Sequence, residues 1–434
     1  MADISIRGGK PLNGCVCIHG SKNAALPMMA ASFLHKGISV LKGCPAIADV
    51  FCMEEILRQL GAVTWWEEQD LYMDCTHAEK TEIGKEYTGR MRSSVILLGV
   101  LLARCREGKL GYPGGCVIGK RPVDYHLAVL RSLGAELTEQ EDGIMAKAGT
   151  LVGSEIQIPR RSVGATEQGI LASVLAKGES VFRNCAREPE ILWLCRYLRG
   201  MGAKIAGEGT DCIRVCGVKE LGPGCMVVPP DRIVAGTYMC AAAITRGKIA
   251  LERVPCREMA AFLQVYRKIG GQYYRKSGKL IVDGSGTDFP LPLLRTGVYP
   301  GFPTDLQSPV MAVLATVPGR SRIREEIFEQ RYKVAEELNR MGACIEVQGA
   351  EAVILGGLPL RGCEVNACEL RGGAALILAA LAAEGETSLQ GYAFVQRGYA
   401  HICRDLCALG ADITNNTGTG EYEKFQLSKE TKNK

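Results

Sequence analysis

The sequence of 434 residues contains no long hydrophobic run. Its longest apolar stretches, residues 96–103 and 374–383, are far shorter than the roughly 20 residues that a transmembrane helix requires. The N-terminal residues also lack the basic region and apolar segment that mark a secretory signal peptide. We therefore expect a cytoplasmic protein that does not act on a membrane.

The net charge is small, and common ligand-binding motifs are absent. The net charge is only +5, and the absence of a polybasic block argues against a nucleic-acid partner, although a local basic cleft for an anionic small molecule remains possible. The 19 cysteines are scattered and form no C-x-x-C pair, so we expect reduced thiols and no metal site. Neither a dinucleotide-binding glycine motif nor a P-loop is present, which excludes both of those enzyme classes.

The sequence does contain a sixfold internal repeat. An apolar residue followed by Gly-Ala or Gly-Gly recurs at intervals of 68 to 73 residues, at Gly61, Gly134, Gly202, Gly270, Gly342 and Gly410. A second series ends alanine- and leucine-rich segments at Gly37, Gly108, Gly178, Gly247, Gly319 and Gly385. Units of about 70 residues are longer than solenoid repeats, so each unit is interpreted as a small α/β subdomain.

The pattern within one unit predicts its secondary structure. A small-residue helix is expected to end at a C′ glycine, followed by a short β-branched strand, an amphipathic helix and a strand pair. Because the alanine-rich helices are apolar on all sides, we expect them to be buried. Three units per domain give two domains, with a boundary near Val227–Arg232.

The segment "PGGCVIGKRPVD" holds a cysteine in an unusual setting. Cys116 lies between flexible glycines, with Lys120 and Arg121 close behind it. Neighbouring cations favour the thiolate, which makes such a thiol proton-active and nucleophilic, and the glycines would let the segment close as a lid. A structural thiol buried in a turn is the alternative.

Further motifs follow the repeat in order: "GSKNAALP", "MRSS", "SVGAT", "AREPEI", "PDRI", "FPTDLQ", "FEQR", "LR" and "RGY". From about residue 5 to about residue 415, the chain resembles the UDP-N-acetylglucosamine 1-carboxyvinyltransferases, the enolpyruvyl transferases of peptidoglycan synthesis and targets of fosfomycin. The resemblance implies a two-domain inside-out α/β barrel with three repeats per domain. It places residues 22–229 in the N-terminal domain, which carries the Cys116 lid, and residues 1–21 and 230–434 in the C-terminal domain.

The family reaction transfers the enolpyruvyl group of phosphoenolpyruvate (PEP) to the 3′-hydroxyl of UDP-N-acetylglucosamine, with release of phosphate and no metal or other cofactor. The resemblance makes Cys116 the proton donor and Asp305 the base for the hydroxyl, although a carboxylate after a proline could also be a helix N-cap. It assigns PEP binding to cationic and polar side chains, for which solvated lysine or surface ion pairs are the alternatives: Lys22, Asn23, Arg121, Arg331, Arg371 and Arg397. Ser21 is a suitable N-cap for the helix carrying Lys22, and Pro27 would kink or delay that helix.

The nucleotide sugar is assigned a second set of residues by the same resemblance: Arg92, Arg121, Pro122, Val123, Asp124, Tyr125, Ser162, Val163, Gly164, Asp305 and Ile327. His126 and Glu190 are weaker candidates. The chain departs from common family patterns at Val395–Gln396, Ala48 and Arg160, which leaves room for a paralogue with altered kinetics.

Two competing functions remain open at this point. One is the related transferase that uses shikimate 3-phosphate, although the lid cysteine and "SKNAA" argue against it. The other is a non-catalytic UDP-sugar-binding paralogue. In every case the expected partners are small molecules, and the chain is expected to be a monomer or a weak homo-oligomer.

Overall fold

The computed structural model describes residues 2–114, 118–119 and 122–417. Its strands are β1 (Ile4–Arg7), β2 (Asn13–Cys17), β3 (Ile38–Lys42), β4 (Val63–Glu67), β5 (Asp70–Asp74), β6 (Glu82–Ile83), β7 (Glu107–Gly111), β8 (Glu136–Gln140), β9 (Gly143–Lys147), β10 (Glu155–Gln157), β11 (Glu179–Arg183), β12 (Lys204–Ala206), β13 (Cys212–Cys216), β14 (Cys225–Val227), β15 (Lys248–Glu252), β16 (Gln272–Lys276), β17 (Lys279–Asp283), β18 (Leu294–Arg295), β19 (Gly319–Arg324), β20 (Cys344–Gln348), β21 (Glu351–Gly356), β22 (Glu364–Asn366), β23 (Glu386–Gln390) and β24 (Asp412–Asn415).

The α-helices are α1 (Lys22–Ser32), α2 (Ala48–Gln59), α3 (Lys85–Thr88), α4 (Leu97–Cys105), α5 (Asp124–Ser132), α6 (Val163–Ser173), α7 (Pro189–Gly200), α8 (Arg232–Ile244), α9 (Ala260–Lys268), α10 (Gln307–Thr316), α11 (Val334–Arg340), α12 (Leu370–Ala382), α13 (Tyr392–Gln396) and α14 (Ile402–Ala408). Three short 3₁₀ helices cover Arg92–Ile96, Cys256–Glu258 and Thr304–Leu306. Each described helix is too short or too polar to cross a lipid bilayer.

The strands form six four-stranded sheets that share one plan. In the sheet β10-β11-β13-β12, the first pair is parallel and the next two pairs are antiparallel. The other five sheets repeat this arrangement, in the orders β14-β3-β5-β4, β6-β7-β9-β8, β22-β23-β1-β24, β2-β15-β17-β16 and β18-β19-β21-β20. The predicted fold, with six repeated α/β units, is therefore confirmed.

The chain separates into two compact units. The first unit contains described residues 2–19, 118–119 and 230–417, and the second contains residues 20–114 and 122–229. Each unit contains three of the six sheets. Two strands of the first unit come from the N-terminus, because β1 pairs with β23 and β24 and β2 pairs in parallel with β15.

The apolar helices are buried, as their composition predicts. In the first unit every residue of α8 is buried, and α8, α10 and α12 pack against one another in the hydrophobic core. In the second unit α6 packs against α4, and both present mostly buried residues. The sheets therefore cover the helices, and their outward faces carry the exposed strand residues.

The first glycine series ends helices as expected. All six of these glycines have φ between 91° and 102°, the left-handed region that a side chain with a Cβ avoids. In the second series Gly178, Gly319 and Gly385 also have positive φ, between 88° and 105°, but they lie beyond the C′ positions of α6, α10 and α12, whose C-caps are Val174, Val317 and Ala383. The predicted C′ role is therefore wrong for the second series. At Gly247 close packing explains the glycine, since a Cβ would lie 2.4 Å from the carbonyl oxygen of Leu12.

Candidate active site

In the first unit, one carboxylate bridges two arginines. Oδ1 of Asp305 lies 2.9 Å from Nη2 of Arg331, and Oδ2 lies 3.0 Å from Nη2 of Arg371. Asp305 belongs to the 3₁₀ turn Thr304–Leu306, and α10 begins after Leu306. The alternative of a helix N-cap at Asp305 is therefore wrong.

Both arginines are buried. The side chains of Arg331 and Arg371 are only 2% and 3% exposed, whereas that of Asp305 is 28% exposed. The alternative of surface ion pairs is thus wrong for these two residues. Burial lowers the pKa of the Arg371 guanidinium, but Asp305, Tyr399 and Asp231 together outweigh it and the pKa lies above its ordinary value. Asp305 therefore stabilises a charge that would otherwise be costly to bury.

One nitrogen of Arg371 has an unused hydrogen-bonding capacity. Its Nη1 is buried and makes no hydrogen bond to the described residues. This nitrogen lies beside the start of the segment after α13, where a Cβ on Gly398 would be 3.5 Å from it. The Arg371 guanidinium also lies over the ring of Tyr399, with its central carbon 5.6 Å from the ring centroid. A buried donor in this position is suited to an acceptor supplied by a ligand.

Two other predicted residues belong to the same unit. Arg397 directly follows α13 and is half-buried. The backbone N–H of Ile327 donates to Glu325 at 2.9 Å, and the Thr304 hydroxyl donates to the same carboxylate at 3.0 Å. Glu325 therefore connects the Ile327 turn to the turn that contains Asp305.

A second carboxylate, Glu369, was not predicted from the sequence. It is 4% exposed and its Oε2 lies 3.5 Å from Nη1 of Arg331. It also precedes α12 as its N-cap and accepts the backbone N–H groups of Arg371, at 2.8 Å, and Gly372. The only sequence signal for it was its position just before an alanine- and leucine-rich helix.

In the second unit, Lys22 is the first residue of α1, and Asn23 follows in the first helical turn. The Ser21 hydroxyl accepts the Ala24 N–H at 3.4 Å, so the predicted N-cap is confirmed. Pro27 lies within α1 and does not delay its start. Lys22 Nζ lies 3.2 Å from Oδ2 of Asp49, and both side chains are largely buried, at 13% and 7% exposed. Asp49 was not among the predicted residues.

Several predicted nucleotide-binding residues come together elsewhere in this unit. Arg92, at the start of a 3₁₀ helix, donates through Nη2 to the carbonyl oxygen of Pro122 at 2.8 Å. Val123 is the N-cap of α5, and Asp124 and Tyr125 are the first two residues of that helix. Arg92 therefore lies next to the start of α5.

The "SVGAT" turn begins α6 and contacts α5. Ser162 is the N-cap and accepts the Ala165 N–H at 3.3 Å, with Val163 and Gly164 in the first turn. A Cβ on Gly164 would lie 2.7 Å from Cε1 of His126, so the turn packs directly on that buried imidazole ring. The structure thus brings Gly164 and His126 into contact.

A buried acidic group lies one turn further along α6. Glu167 is 7% exposed. Burial raises its pKa to about 8, with further contributions from the carboxylates of Glu190 and Glu188. Glu190 lies in the first turn of α7 and is 5% exposed. These surroundings favour the protonated form of Glu167 at neutral pH, which could not be predicted from its place in the sequence.

Cys116 and Arg121, the predicted proton donor and one of the predicted cations, lie outside the described residues. Every cysteine among the described residues is a free thiol. The described residues contain no group of three or more His, Cys, Asp or Glu side chains able to hold a metal ion.

Comparison with solved structures defines the class of fold. The enolpyruvyl transferase NikO from Streptomyces tendae superimposes with a TM-score of 0.86 at 24% identity, covering 95% of this chain and 98% of that one. EPSP synthase from Acinetobacter baumannii gives a TM-score of 0.71 at 19% identity, covering 95% of this chain and 100% of that one. The fold is that of the enolpyruvyl transferases.

Sequence comparison is more specific. The family model for EPSP synthase (3-phosphoshikimate 1-carboxyvinyltransferase) matches residues 6–406. UDP-N-acetylglucosamine 1-carboxyvinyltransferase 2 of Caldanaerobacter subterraneus subsp. tengcongensis is 41% identical over 95% of this chain and 99% of its own length. UDP-N-acetylglucosamine 1-carboxyvinyltransferase 1 of Symbiobacterium thermophilum is 44% identical over 94% of each chain. The chain belongs to this enolpyruvyl transferase family, together with the UDP-N-acetylglucosamine 1-carboxyvinyltransferases.

Proposed function

We propose that the protein transfers the enolpyruvyl group of PEP to the 3′-hydroxyl of UDP-N-acetylglucosamine and releases phosphate. Relatives that carry the name of this activity match almost the whole chain at 41% to 44% identity, which supports the choice of acceptor. The reaction would supply the cell-wall precursor pathway.

The bridge between Asp305 and the two arginines is the observation that carries this proposal. A planar guanidinium binds a carboxylate through two parallel hydrogen bonds. In our proposal, the PEP carboxylate takes the place of Asp305 on Arg331 and Arg371. The spare Nη1 of Arg371 offers an additional donor to that ligand. Asp305, once released, is available to accept the proton of the sugar hydroxyl.

The phosphate of PEP requires cations other than Arg331 and Arg371, which we assign to the carboxylate. We assign the phosphate to Arg397 and Arg121, with Lys22 and Asn23 completing the PEP contacts. Lys22 and Asn23 lie in the first turn of α1, where the backbone N–H groups and the helix dipole favour an anion.

The proton transfers balance with two side chains. Cys116 delivers a proton to C3 of PEP, which makes C2 electrophilic, while Asp305 removes the proton from the 3′-hydroxyl as its oxygen bonds to C2. In the second step, the Cys116 thiolate takes a proton from C3, the C2–O bond to phosphate breaks, and the leaving phosphate takes the proton held by Asp305, so the double bond of the product enol ether forms and both side chains return to their starting states. The fixed cations stabilise the phosphate as it leaves.

The nucleotide sugar is assigned to the start of α5, the start of α6 and the neighbouring turns. Helix N-termini again present N–H groups that suit a diphosphate. The residues are Arg92, Arg121, Pro122, Val123, Asp124, Tyr125, Ser162, Val163, Gly164, Asp305 and Ile327.

We further propose that residues 22–229 form one catalytic domain and that residues 1–21 and 230–434 form the other. Free thiols throughout the described residues are consistent with a reducing compartment, which supports a cytoplasmic location. The oligomeric state that we propose is a monomer or a weak homo-oligomer.

Phosphate release from PEP tests the proposal directly. We expect release with UDP-N-acetylglucosamine and none with shikimate 3-phosphate. Release with shikimate 3-phosphate alone would transfer the assignment to the other transferase. Binding of UDP-N-acetylglucosamine without any turnover would indicate the non-catalytic paralogue.

The assignment of Cys116 has its own test. Fosfomycin should inactivate the enzyme and add one inhibitor mass to the intact chain. The Cys116→Ser variant should acquire no adduct, whereas Cys225→Ser, which removes another exposed thiol, should react like the unmodified protein. An adduct on Cys116→Ser would refute the assignment.

A further inference from the structure

Glu369 contacts both arginines of the Asp305 cluster through different groups. Its Oε2 is 3.5 Å from the Nη1 atom of Arg331 and accepts the backbone N–H of Arg371 at 2.8 Å. Its Oε1 accepts the N–H of Gly372. The residue therefore combines a helix-capping role with an ion pair.

The charges of the cluster explain why a carboxylate is needed here. Arg331 and Arg371 are two buried cations, and Asp305 alone would leave an excess of one positive charge. Glu369, at 4% exposed, brings the four side chains to neutrality. A buried charge without a counter-charge is strongly destabilising, so Glu369 offsets the cost of keeping both arginines in place.

Different nitrogens of Arg331 contact Asp305 and Glu369. Nη2 donates to Asp305 at 2.9 Å, and Nε and Nη2 both lie within hydrogen-bonding distance of the Thr304 carbonyl oxygen. Nη1 is directed at Glu369. If Asp305 leaves Arg331, Glu369 is the carboxylate that still holds the guanidinium.

We propose that Glu369 is a positioning residue for PEP binding. It holds Arg331 while Asp305 exchanges with the PEP carboxylate, and it fixes the first turn of α12, from which Arg371 projects. This inference rests on the proposed function, since it requires a carboxylate substrate at the two arginines.

Substitution with glutamine separates the two roles. Glu369 accepts the Arg371 and Gly372 N–H groups with separate oxygens, so the single amide oxygen of Glu369→Gln keeps one of these two bonds and carries no charge for Arg331. We expect a modestly lowered unfolding midpoint. The KM for PEP should rise about tenfold and kcat should fall, because Arg331 loses its fixed orientation. The KM for UDP-N-acetylglucosamine should stay unchanged, and Glu369→Asp should recover part of the loss.

The chain offers a matched control in Glu337. Its Oε2 lies 3.1 Å from Nη1 of Arg340 and accepts the Asn366 N–H at 2.9 Å, so it makes the same two kinds of contact outside the cluster. Glu337→Gln should leave both KM values unchanged.

The outcomes distinguish this inference from the proposed function. An unmodified protein that releases no phosphate from PEP would overturn the proposed function. An active protein whose Glu369→Gln variant keeps its KM for PEP, or binds PEP more tightly, would overturn the positioning role alone. A lowered unfolding midpoint with unchanged kinetics would reduce Glu369 to a helix cap.

Discussion

Glu167 should make the second unit less stable as the pH rises. Its pKa is about 8 in the folded chain, against 4.5 for an ordinary glutamate, because it is buried beside Glu190 and Glu188. Between these two pKa values the folded state retains a proton that the unfolded state has released. The stabilisation that the protonated Glu167 contributes is therefore fully present below about pH 4.5 and is progressively lost as the pH rises to about 8.

The magnitude follows from proton linkage. A difference of one bound proton changes the free energy of unfolding by about 1.4 kcal/mol per pH unit. From pH 5.5 to pH 7.5, Glu167 should thus lower stability by roughly 3 kcal/mol. Glu167→Gln imitates the protonated side chain and does not titrate, so its stability relative to the unmodified protein should rise by that amount over the same range.

Urea unfolding followed by tryptophan fluorescence is the appropriate assay. The chain has 3 tryptophans, Trp65, Trp66 and Trp193, and all of them belong to the second unit. The signal therefore reports the unit that contains Glu167. An exposed control, Glu141→Gln, should give a pH profile parallel to that of the unmodified protein. A stability difference between Glu167→Gln and the unmodified protein that stays constant from pH 5.5 to 7.5 would refute the reasoning.

Three further predictions concern single positions. Arg104→Met removes hydrogen bonds to three backbone carbonyl oxygens, at 2.5 to 3.2 Å, and a cation–π contact with Phe33, so the same fluorescence assay should show a loss of about 2–4 kcal/mol. Gly164→Ala places a Cβ 2.7 Å from the His126 ring, so steady-state kinetics should show a raised KM for UDP-N-acetylglucosamine and an unchanged KM for PEP. Asp305→Asn should lower kcat by at least about 100-fold, while titration calorimetry shows that PEP affinity is not weakened, because the competing charge is removed. A loss of PEP binding equal to the loss of kcat would contradict the exchange of carboxylates.

The repeat could be predicted because it depends on local chemistry. The left-handed backbone conformation that ends a helix favours glycine, and all six glycines of the first series adopt it. The same reasoning was wrong at Gly108 and Gly247, where Arg106 and Arg246 take the positive φ angles, at 69° and 56°. The glycines there are needed for close packing, against Leu101 of the preceding helix at Gly108 and against Leu12, far away in sequence, at Gly247.

Strand partners could not be obtained from the hydrophobic pattern. Alternation indicates which face of a strand is buried, but it does not identify the neighbouring strand. In five of the sheets, the strand after the parallel pair comes from the hairpin that follows in sequence. In the sixth, β1 occupies that place between β23 and β24, across almost the full length of the chain.

The candidate site was predicted by residue type and not by contact. Arg331, Arg371 and Asp305 lie in three separate motifs, and nothing in their spacing indicates that one carboxylate binds both arginines. Glu369 and Asp49 were missed for a related reason. Each is an ordinary acidic residue at the start of a helix, and its importance depends on a cation brought to it by the fold.

Each unit pairs its candidate substrate-binding cations with carboxylates of its own. In the second unit Lys22 is held by Asp49, and in the first unit Arg331 and Arg371 are held by Asp305 and Glu369. Cations that are already paired gain less from an anionic ligand than free cations would, since each new ion pair replaces an existing one. Substrate affinity should consequently be modest for the number of charged contacts. The same pairing keeps the guanidinium groups oriented before the substrate arrives. It therefore weakens substrate binding but preorganises the site for the reaction.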